Sequence, residues 1–530
     1  MKGPRPLSAS PRSSAARRYS QARIIWVGLL TLAIVCCCAA ALSLRKAQAL
    51  NAVAPSPQET HAASARMGDV AGIRAAGRGG PAVRLADGRD VLADYEGEPS
   101  LVQALGQAEP LGLASADFDE DGVPDLVGGY ANGANGTDGG GLVTLHRGNA
   151  GALYPNSPEA QRRSGGGDAR VAAPFLSPAR VFAAPARFDF IGAGDFDGDG
   201  HRDVVGAGLG RRSLYLLAGD GKGNLSAARE IALPGALTAL TTGEMNRPDG
   251  LADVLVGVES GGRAQVLVFE GPRGALKASP ETFRMPARVN SLALAQFDDG
   301  YESDLVAAAG DQLVLVRGRD RKLSVARLLD EPVPEAEVTR RSFSTAITSL
   351  AAGDFDGEPQ TELALLFADG SVHVLRGGAA QVKEQGTSRR GIAGWRSEVV
   401  SEPGLWAGAT RVLSAKVSSA KGDDLLLLDA AGRQVHILKG RRAGKSPVAS
   451  LLGGNGVPGG EAASLALSDG GPVAVLPMQL NVDALTDLVV LREGHSAPAV
   501  VLTENYGEEG TNKPAARTPQ VNFTTGARLD

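Results

Sequence analysis

The feature that most constrains this 530-residue chain is a short acidic phrase that occurs twice. It begins at Asp117 and again at Asp195, and in both copies Asp fills positions 1, 3, 5 and 9 while Gly fills position 6. Carboxylates that alternate along a turn converge on one point, and Gly allows the sharp reversal that the turn needs. Several oxygen ligands in a loose shell are what calcium prefers. The phrase therefore predicts a metal-binding loop.

An EF-hand loop opens with the same pattern, but it requires Glu at position 12 and a helix on each side. Position 12 is Gly128 in the first copy and Gly206 in the second. The residues on either side of each loop are short aliphatic runs, which are typical of strands. We therefore predict a turn between two strands rather than an EF-hand.

Weaker copies of the phrase follow along the chain, so this is a repeat protein. Each copy precedes an aliphatic run, a Gly-rich turn and a second run that ends in Gly, which indicates several short strands per unit. Such units predict an all-β fold, a seven-bladed β-propeller over residues 81–505. The seven copies begin at Asp117, Asp195, Glu244, Gln296, Asp354, Lys416 and Gln479.

Closure of the ring requires a strand from the start of the propeller to complete the last blade. A strand at residues 82–86 or 91–95 is expected to pair with the blade that ends at 500–502, which would remove exposed sheet edges. An open solenoid of the same units is the alternative. No amphipathic helical pattern is visible between Pro81 and Asn505, so we predict no helix there.

Three of the phrases, Ala116–Gly122, Gly194–Gly200 and Gly353–Gly357, stand ahead of hydrophobic strands and resemble the FG-GAP/VCBS repeat family. The proteins of this family are integrin-α-like propellers, and the resemblance extends from about residue 105 to residue 502. It implies that calcium is held in the lower loops of the blades and that partners meet other surfaces. It is nearly silent on the ligand.

The sequence predicts Ca²⁺ ligands in three of the loops. Loops one and two match the pattern throughout, with the carbonyl oxygen at position 7 and the carboxylate at position 9 completing the cage. In loop five Pro359 replaces the Gly, but four carboxylates remain. The predicted ligands are Asp117, Asp119, Asp121, Val123 and Asp125 in loop one; Asp195, Asp197, Asp199, His201 and Asp203 in loop two; and Asp354, Asp356, Glu358, Gln360 and Glu362 in loop five.

The other four loops have lost parts of the pattern. Loop seven has the amides Gln479 and Asn481 where loops one and two have carboxylates, and loops three and four are irregular. Loop six has Lys416 at position 1, which predicts that it binds no metal. A tight turn held by Asx-type hydrogen bonds is the alternative reading of such a loop.

The N-terminal region predicts a membrane anchor. A basic segment, 1–23, precedes an uncharged apolar stretch, 24–44, that is long enough to cross a bilayer as a helix. The charge bias predicts a cytoplasmic N-terminus and a propeller in the cell envelope or outside the cell. A cleaved signal peptide is the alternative, because Ala47–Ala49 fits a cleavage site. Composition predicts a linker at 45–80, and at 506–530 a polar tail or the start of a further module.

Composition and motifs limit the function classes. The formal net charge of −5 disfavours nucleic acid as a partner, and no nucleophile elbow, P-loop or zinc-type His spacing occurs. The pattern predicts a non-catalytic, calcium-binding adhesion or recognition module for a protein or carbohydrate ligand. A propeller-associated enzyme acting on polysaccharide, a lyase or hydrolase, is one alternative. An assembly scaffold for an envelope complex is the other.

Overall fold

The computed structural model describes residues 63–76, 85–133, 140–154, 157, 173–246, 248–297, 300–321, 323, 333–377, 392–440, 452–453, 457–458 and 462–503. These residues belong to one compact unit, which spans 63–530. Their strands form seven sheets of four or five strands each. The predicted all-β, seven-bladed β-propeller is therefore confirmed.

The chain enters the propeller through five short strands, followed by a helix that ends before blade one. The elements are β1 (Ala63–Ser64), β2 (Arg66–Val70), β3 (Ile73–Ala76), β4 (Arg89–Leu92), β5 (Tyr95–Glu96) and α1 (Pro99–Leu105). The prediction of no helix between 81 and 505 is wrong for α1 and for a second short helix at Ala150–Leu153. Pro favours the first turn of a helix, but α1 is too short to show a 3.6-residue pattern, and Leu105 is its one buried residue.

The blades follow in chain order. Blade one is built on β6 (Glu109–Ala116), β7 (Asp125–Ala131), β8 (Gly141–His146), α2 (Ala150–Leu153), β9 (Leu176–Ser177) and β10 (Ala179–Ala184). Blade two comprises β11 (Phe190–Gly194), β12 (Asp203–Ala207), β13 (Ser213–Leu217) and β14 (Arg229–Ala232). Blade three comprises β15 (Ala236–Gly243), β16 (Asp253–Ser260), β17 (Arg263–Phe269) and β18 (Glu281–Met285).

The remaining blades repeat this order. Short 3₁₀ turns lie at Ala275–Lys277 in blade three and at Ile392–Gly394 in blade five. Blade four comprises β19 (Val289–Ala295), β20 (Asp304–Ala309), β21 (Gln312–Val316) and β22 (Val338–Ser342). Blade five comprises β23 (Ile347–Gly353), β24 (Glu362–Phe367), β25 (Val372–Arg376) and β26 (Arg396–Ser401). Blades six and seven comprise β27 (Ala409–Ala415), β28 (Asp424–Asp429), β29 (Gln434–Leu438), β30 (Leu452–Gly453), β31 (Val457–Pro458), β32 (Ala462–Leu467), β33 (Pro472–Met478), β34 (Asp487–Arg492) and β35 (Ala499–Val501).

The core lies between neighbouring blades. The second strand of a blade is buried on both faces, as in β24, where every residue is buried. Leu313 of blade four and Leu365 of blade five pack in one cluster, and equivalent clusters fill the adjacent seams. Each fully buried Leu or Val stabilises the fold by roughly 1.5–3 kcal/mol. Aliphatic runs that looked continuous in the sequence are therefore strands covered on both sides.

The ring is closed by the N-terminal segment. β4 pairs with β35 in blade seven, and β2 pairs with β4. β3 adds an edge strand to β32 in blade six, while β5 pairs in parallel with β10 in blade one. One segment therefore joins three blades. β4 overlaps the second of the two strands expected to close the ring, whereas β1 to β3 lie within residues that composition had assigned to a linker.

A buried arginine fixes this closure. Arg492 at the end of β34 has no exposed surface, and its guanidinium donates hydrogen bonds to Asp90 of β4 and to Asp469, which follows β32. His495 Nε2 lies 3.1 Å from the carbonyl oxygen of Asp469. The Arg492 side chain thus connects the entering strand β4, blade six and blade seven at one point.

We predict that Arg492→Met lowers the free energy of unfolding by about 2–3 kcal/mol, because it leaves two partly buried carboxylates without their cation. Urea denaturation measures this change. Arg89→Gln, an exposed arginine on the same closing strand, should stay within about 0.5 kcal/mol of the wild type. Equal effects of the two substitutions would rule out a closing role for Arg492.

His146 marks the contact between β5 and blade one. Its imidazole is fully buried, with the ring of Tyr95 edge-on at 5.7 Å and Phe175 at 6.0 Å between ring centroids. Neither ring nitrogen has a hydrogen-bond partner among the described residues. Burial lowers the pKa of His146 from 6.5 to about 4. The folded chain therefore holds a neutral histidine at pH values where the unfolded chain binds a proton.

The sign of the resulting pH dependence follows from linkage. Stability from His146 is fully present above pH 6.5 and is lost as the pH falls from 6.5 towards 4, because only the unfolded state then takes up the proton. Between pH 7.5 and 5 we expect a loss of about 2 kcal/mol that His146→Phe does not show. Urea denaturation of both proteins at the two pH values tests this. Parallel pH profiles for the two proteins would contradict it.

The predicted single-pass anchor requires correction. In the part of the chain that the structure describes, no helix has the length and apolar character needed to span a membrane. The predicted span, residues 24–44, lies outside the described residues, as do 1–23 and 506–530. The localisation inferred from hydropathy and charge bias is therefore withdrawn.

Candidate metal centres

The acidic loops all lie at one end of the propeller. Each loop joins the first strand of its blade to the second, and each contacts the following blade. Phe118 O accepts a hydrogen bond from Gly223 N of blade two at 2.9 Å, and Phe196 O accepts one from Leu276 N of blade three at 3.1 Å. Lys416 O accepts one from Thr486 N of blade seven at 2.7 Å. We call this end, defined by the seven loops, the acidic end.

The residue that begins the second strand of each blade, at position 9 of the loop or at position 10 of the longer loop three, is a buried carboxylate that organises the turn. Asp125 Oδ2 accepts a hydrogen bond from Phe118 N at 2.8 Å, and its Oδ1 accepts one from Gly148 N at 2.6 Å. Asp203 binds the corresponding amides of Phe196 and Gly219. These clamp carboxylates are Asp125, Asp203, Asp253, Asp304, Glu362, Asp424 and Asp487, all of them buried.

The clamp carboxylates persist where the rest of the loop has degenerated, which shows that their first role is structural. They hold the second residue of the loop against the end of the third strand. Burial also disfavours their charged form. It raises the pKa of Asp125 to about 8, with repulsion from Asp119 adding to the effect, and it raises the pKa of Asp253 to about 9. A buried carboxylate in this position is stabilised by a nearby positive charge.

Loops one and two each bring three carboxylates together. Oxygen atoms of Asp117, Asp119 and Asp125 lie within 4.8 Å of one another, as do those of Asp195, Asp197 and Asp199. Gly122 and Gly200 at position 6 adopt φ values of +84° and +94°, the left-handed region that favours glycine. The turn chemistry predicted for position 6 is therefore present.

The other predicted members of loops one and two occupy supporting positions. Asp121 accepts a hydrogen bond from Val123 N at 2.9 Å, and burial raises its pKa to about 6. Asp203 is a clamp and lies outside the triad of its loop. His201 Nδ1 lies 2.6 Å from Glu120 Oε1 of loop one, so its side chain bridges the two loops.

One oxygen in each of these two triads has no partner in the described residues. Asp119 Oδ1 and Asp197 Oδ1, both at position 3, are buried and accept no hydrogen bond. The nearest cations face the other oxygen, with Arg147 Nη1 3.8 Å from Asp119 Oδ2 and Lys277 Nζ 3.9 Å from Asp197 Oδ2. Buried carboxylate oxygens without partners are rare in folded proteins. A cation coordinated by the triad would satisfy both, so the residues present fit a metal ion.

Loop five has a similar triad but supplies its own positive charge. Oxygens of Asp354, Asp356 and Glu362 lie within 4.8 Å of one another. The guanidinium of Arg376, at the end of β25, donates a hydrogen bond to Asp356 and lies 3.5 Å from Glu362 Oε1. The guanidinium of Arg376 therefore already supplies a positive charge to this cluster of carboxylates.

Glu358 and Gln360, the remaining predicted ligands of loop five, lie on the surface rather than in the triad. Both are exposed, and Glu358 pairs with Lys421 of blade six at 3.4 Å. Pro359 at position 6 is accommodated because Gly357, at position 4, makes the left-handed turn with a φ of +77°. The side chains that follow this turn therefore point to solvent or to the next blade.

Loops four and six also contain side-chain cations. Lys416 Nζ donates hydrogen bonds to the carbonyl oxygens of Ala420 and, at 2.6 Å, of Gly422, so the ammonium occupies the turn that it begins. Arg317 Nη1 donates to the clamp carboxylate Asp304 at 2.7 Å. Lys416 was visible in the sequence at position 1. The roles of Arg317 and Arg376 were missed, although each directly precedes the Gly that ends a third strand.

We predict that Arg376→Met converts loop five into a metal-dependent site. In the presence of a chelator the variant should lose about 3 kcal/mol of unfolding free energy, because a buried carboxylate pair keeps its charge repulsion without its cation. Millimolar calcium should then restore stability in the variant more than in the wild type. Chemical denaturation with and without calcium measures both effects. A calcium response no larger than that of the wild type would contradict the assignment of Arg376 as the resident cation.

No protein-family model and no curated protein matches this chain. Among solved structures, the chain is similar to the crystal structure of BBS1N in complex with ARL6DN soaked with mercury, at 12% identity and a TM-score of 0.45, over 80% of this chain and 97% of that chain. The same complex soaked with lead gives 11% identity and a TM-score of 0.44, over 81% and 98%. Because the identities and TM-scores are this low, the fold is assigned from the strand pairing described above.

Proposed function

We propose that this protein is a calcium-stabilised β-propeller that acts as a non-catalytic recognition or adhesion module, as expected of an FG-GAP/VCBS-like repeat protein. The observation that carries the metal assignment is the pair of buried, unpartnered oxygens on Asp119 and Asp197. Each belongs to a triad of carboxylates that repel one another unless a positive charge lies between them. Loops one and two are the proposed sites, and loops four, five and six contain Arg317, Arg376 and Lys416 instead.

Calcium fits these loops better than magnesium does. The donors are carboxylate oxygens on an irregular turn, with backbone carbonyls close by, and calcium accepts such variable geometry. Magnesium demands a near-ideal octahedron and keeps several of its waters. A soft metal that prefers thiolate or imidazole has no suitable ligand set in either loop. We therefore assign Ca²⁺ as the ion that loops one and two bind.

The use of the carboxylates supports a non-catalytic role. Acid–base catalysis needs carboxyl groups that face a substrate in an accessible cavity. The clamp carboxylates instead face backbone amides, and Asp304, Asp356 and Asp469 each bind a guanidinium. A cavity of about 260 Å³ in blade four is lined by Arg317 and Arg319, both of which already bind carboxylates. The acidic groups named here are thus engaged in holding the fold.

Calcium titration of metal-free protein tests this proposal. Each site loaded a hundredfold above its dissociation constant adds about 2.7 kcal/mol to stability, so the melting temperature should rise with calcium and less with magnesium. Asp197→Asn keeps the side-chain shape and removes one charge, and it should roughly halve the rise. The double variant Asp119→Asn/Asp197→Asn should nearly abolish it.

Asp311→Asn is the matched control, because Asp311 is exposed in a turn at the other end of blade four. Its calcium response should equal that of the wild type. Equilibrium dialysis should show two calcium ions per wild-type chain and one per Asp197→Asn chain. No thermal response to calcium in the wild type, or the same response in the double variant, would refute the assignment.

A further inference from the structure

The first strands of the blades surround the axis of the propeller. Ser291 Oγ of β19 accepts a hydrogen bond from Leu350 N of β23 at 3.2 Å. Ser349 Oγ of β23 in turn accepts one from Val412 N of β27, also at 3.2 Å. These bonds join the first strands of blades four, five and six directly to one another. In a ring of radial sheets the strands that approach in this way lie next to the axis, so the first strands line a central channel.

The walls of this channel are almost uncharged. The structure describes all seven first strands in full, and β11, β15, β19, β23 and β33 contain no Asp, Glu, Lys or Arg. The strand β6 contains one such residue, Glu109, at its first position. Arg411 of β27 is therefore the single charged residue in the interior of a first strand.

Arg411 occupies a position where every other blade has an uncharged residue. It directly follows the bulge of β27, as Ser291 and Ser349 follow the bulges of β19 and β23. The residues equivalent to Arg411, each five before its loop, are Gly112, Phe190, Ala239, Ser291, Ser349 and Ala474. The two serines bond to the next blade, whereas the guanidinium of Arg411 forms no hydrogen bond or ion pair within the described ranges. Closure of the ring therefore does not require an arginine here.

The Arg411 side chain is exposed to water and is also surrounded by protein. Its residue is exposed, yet desolvation by the surrounding protein lowers the pKa of its guanidinium, against the opposing effect of the Asp189 charge. A group that is accessible but desolvated on several sides lies on a concave surface. Asp189 precedes the first strand of blade two, which is not a neighbour of blade six in the ring. The two side chains therefore face each other across the channel.

Asp189 is already engaged by another cation. Its carboxylate accepts hydrogen bonds from Arg187 Nε at 3.1 Å and Nη2 at 2.7 Å, and from Leu209 N at 2.8 Å. Arg187 Nη1 also lies 4.0 Å from Glu109 Oε2 of blade one. One side of the channel thus has a network of paired charges, and the opposite side has a guanidinium that no described side chain contacts.

We propose that Arg411 anchors a binding site for the carboxylate group of a small ligand, in the mouth of the central channel at the end opposite the acidic loops. A guanidinium offers parallel N–H groups that match a carboxylate. Its attraction for an anion is stronger in a partly desolvated channel than on an open surface. One guanidinium balances one negative charge, whereas a phosphate dianion would be repelled more strongly by Asp189 on the far wall.

This inference rests on the proposed role as a recognition module, and it names the chemistry of a ligand for that role. It does not depend on the metal sites, because loops one and two lie at the other end of the fold. A small ligand fits the location, since the first strands of blades four, five and six are joined side by side and leave access only along the axis.

Saturation-transfer difference NMR on the full chain, with glucuronate as the probe, tests the proposal. The wild type should bind glucuronate in preference to glucose, its neutral counterpart. Arg411→Ser should bind glucuronate about tenfold more weakly, because a charge-assisted bidentate hydrogen bond is lost. Arg411→Lys keeps the charge without the fork and should fall between the two. Arg396→Gln is the matched control: it removes one exposed arginine from the outermost strand of blade five and should bind as the wild type does.

The stability of Arg411→Ser separates a ligand site from a structural role. A serine in this position can accept a hydrogen bond from Val475 N of blade seven, which is equivalent to Leu350 N and Val412 N. The urea midpoint of the variant should therefore be no lower than that of the wild type. A lower midpoint together with unchanged glucuronate affinity would assign Arg411 a structural role and overturn the proposal.

Three results of the binding experiment would also overturn the carboxylate site. The first is equal glucuronate affinity in Arg411→Ser and Arg396→Gln. The second is binding of glucose or of inorganic phosphate that is as tight as binding of glucuronate. The third is no glucuronate binding by a wild type whose melting temperature still rises with calcium, which would leave the metal assignment standing. The calcium response, measured on every variant, confirms folding and keeps the two tests separate.

Discussion

The fold depends on the clamp carboxylates, the buried groups at position 9 of six loops and at position 10 of loop three. Each clamp begins the second strand of its blade, and those of blades one and two accept hydrogen bonds both from an amide in the loop and from the glycine that ends the third strand. Three strands of a blade are thereby fixed at one point without any helix or disulfide. The arrangement places a desolvated carboxylate beneath every loop. Either the loop supplies a positive charge close to this carboxylate, or the carboxylate is protonated.

The blades meet that electrostatic requirement in different ways. Arg317 pairs with its clamp in blade four, Arg376 enters the triad of blade five, and Lys416 fills the turn of blade six. These cations are attached to the chain and are present whenever it folds. In loops one and two the nearest side-chain cations, Arg147 and Lys277, lie 3.8 and 3.9 Å from one oxygen of the triad, and the unpartnered oxygens fit a solute cation. In loops four, five and six a side-chain cation therefore offsets the charge of the buried carboxylates, as a bound metal ion would do in loops one and two.

The sequence predicted the repeat, the blade number and the position of every acidic loop, because these depend on local patterns that recur along the chain. It also identified Lys416 as a cation at the first position of loop six. It did not predict β2, which pairs with β4, or β3, whose partner β32 lies at the other end of the chain. Nor did it predict the hydrogen bond from Arg492 to Asp90 across 402 residues. The Arg376 contact was missed for the same reason, since its carboxylates come from a different strand. For Asp203 the local pattern predicted a metal ligand, and the structure adds its hydrogen bonds to the amides of Phe196 and Gly219.

The seam between blades two and three connects the two ends of the molecule. Loop two contacts blade three through Phe196 and Leu276, and the same pair of blades is joined at the end opposite the acidic loops through Arg211 and Leu237. A cation in loop two would hold the lower part of this seam, because Asp195 and Asp197 precede and follow Phe196. In blades four, five and six the positive charge is instead supplied by Arg317, Arg376 and Lys416, which are part of the chain.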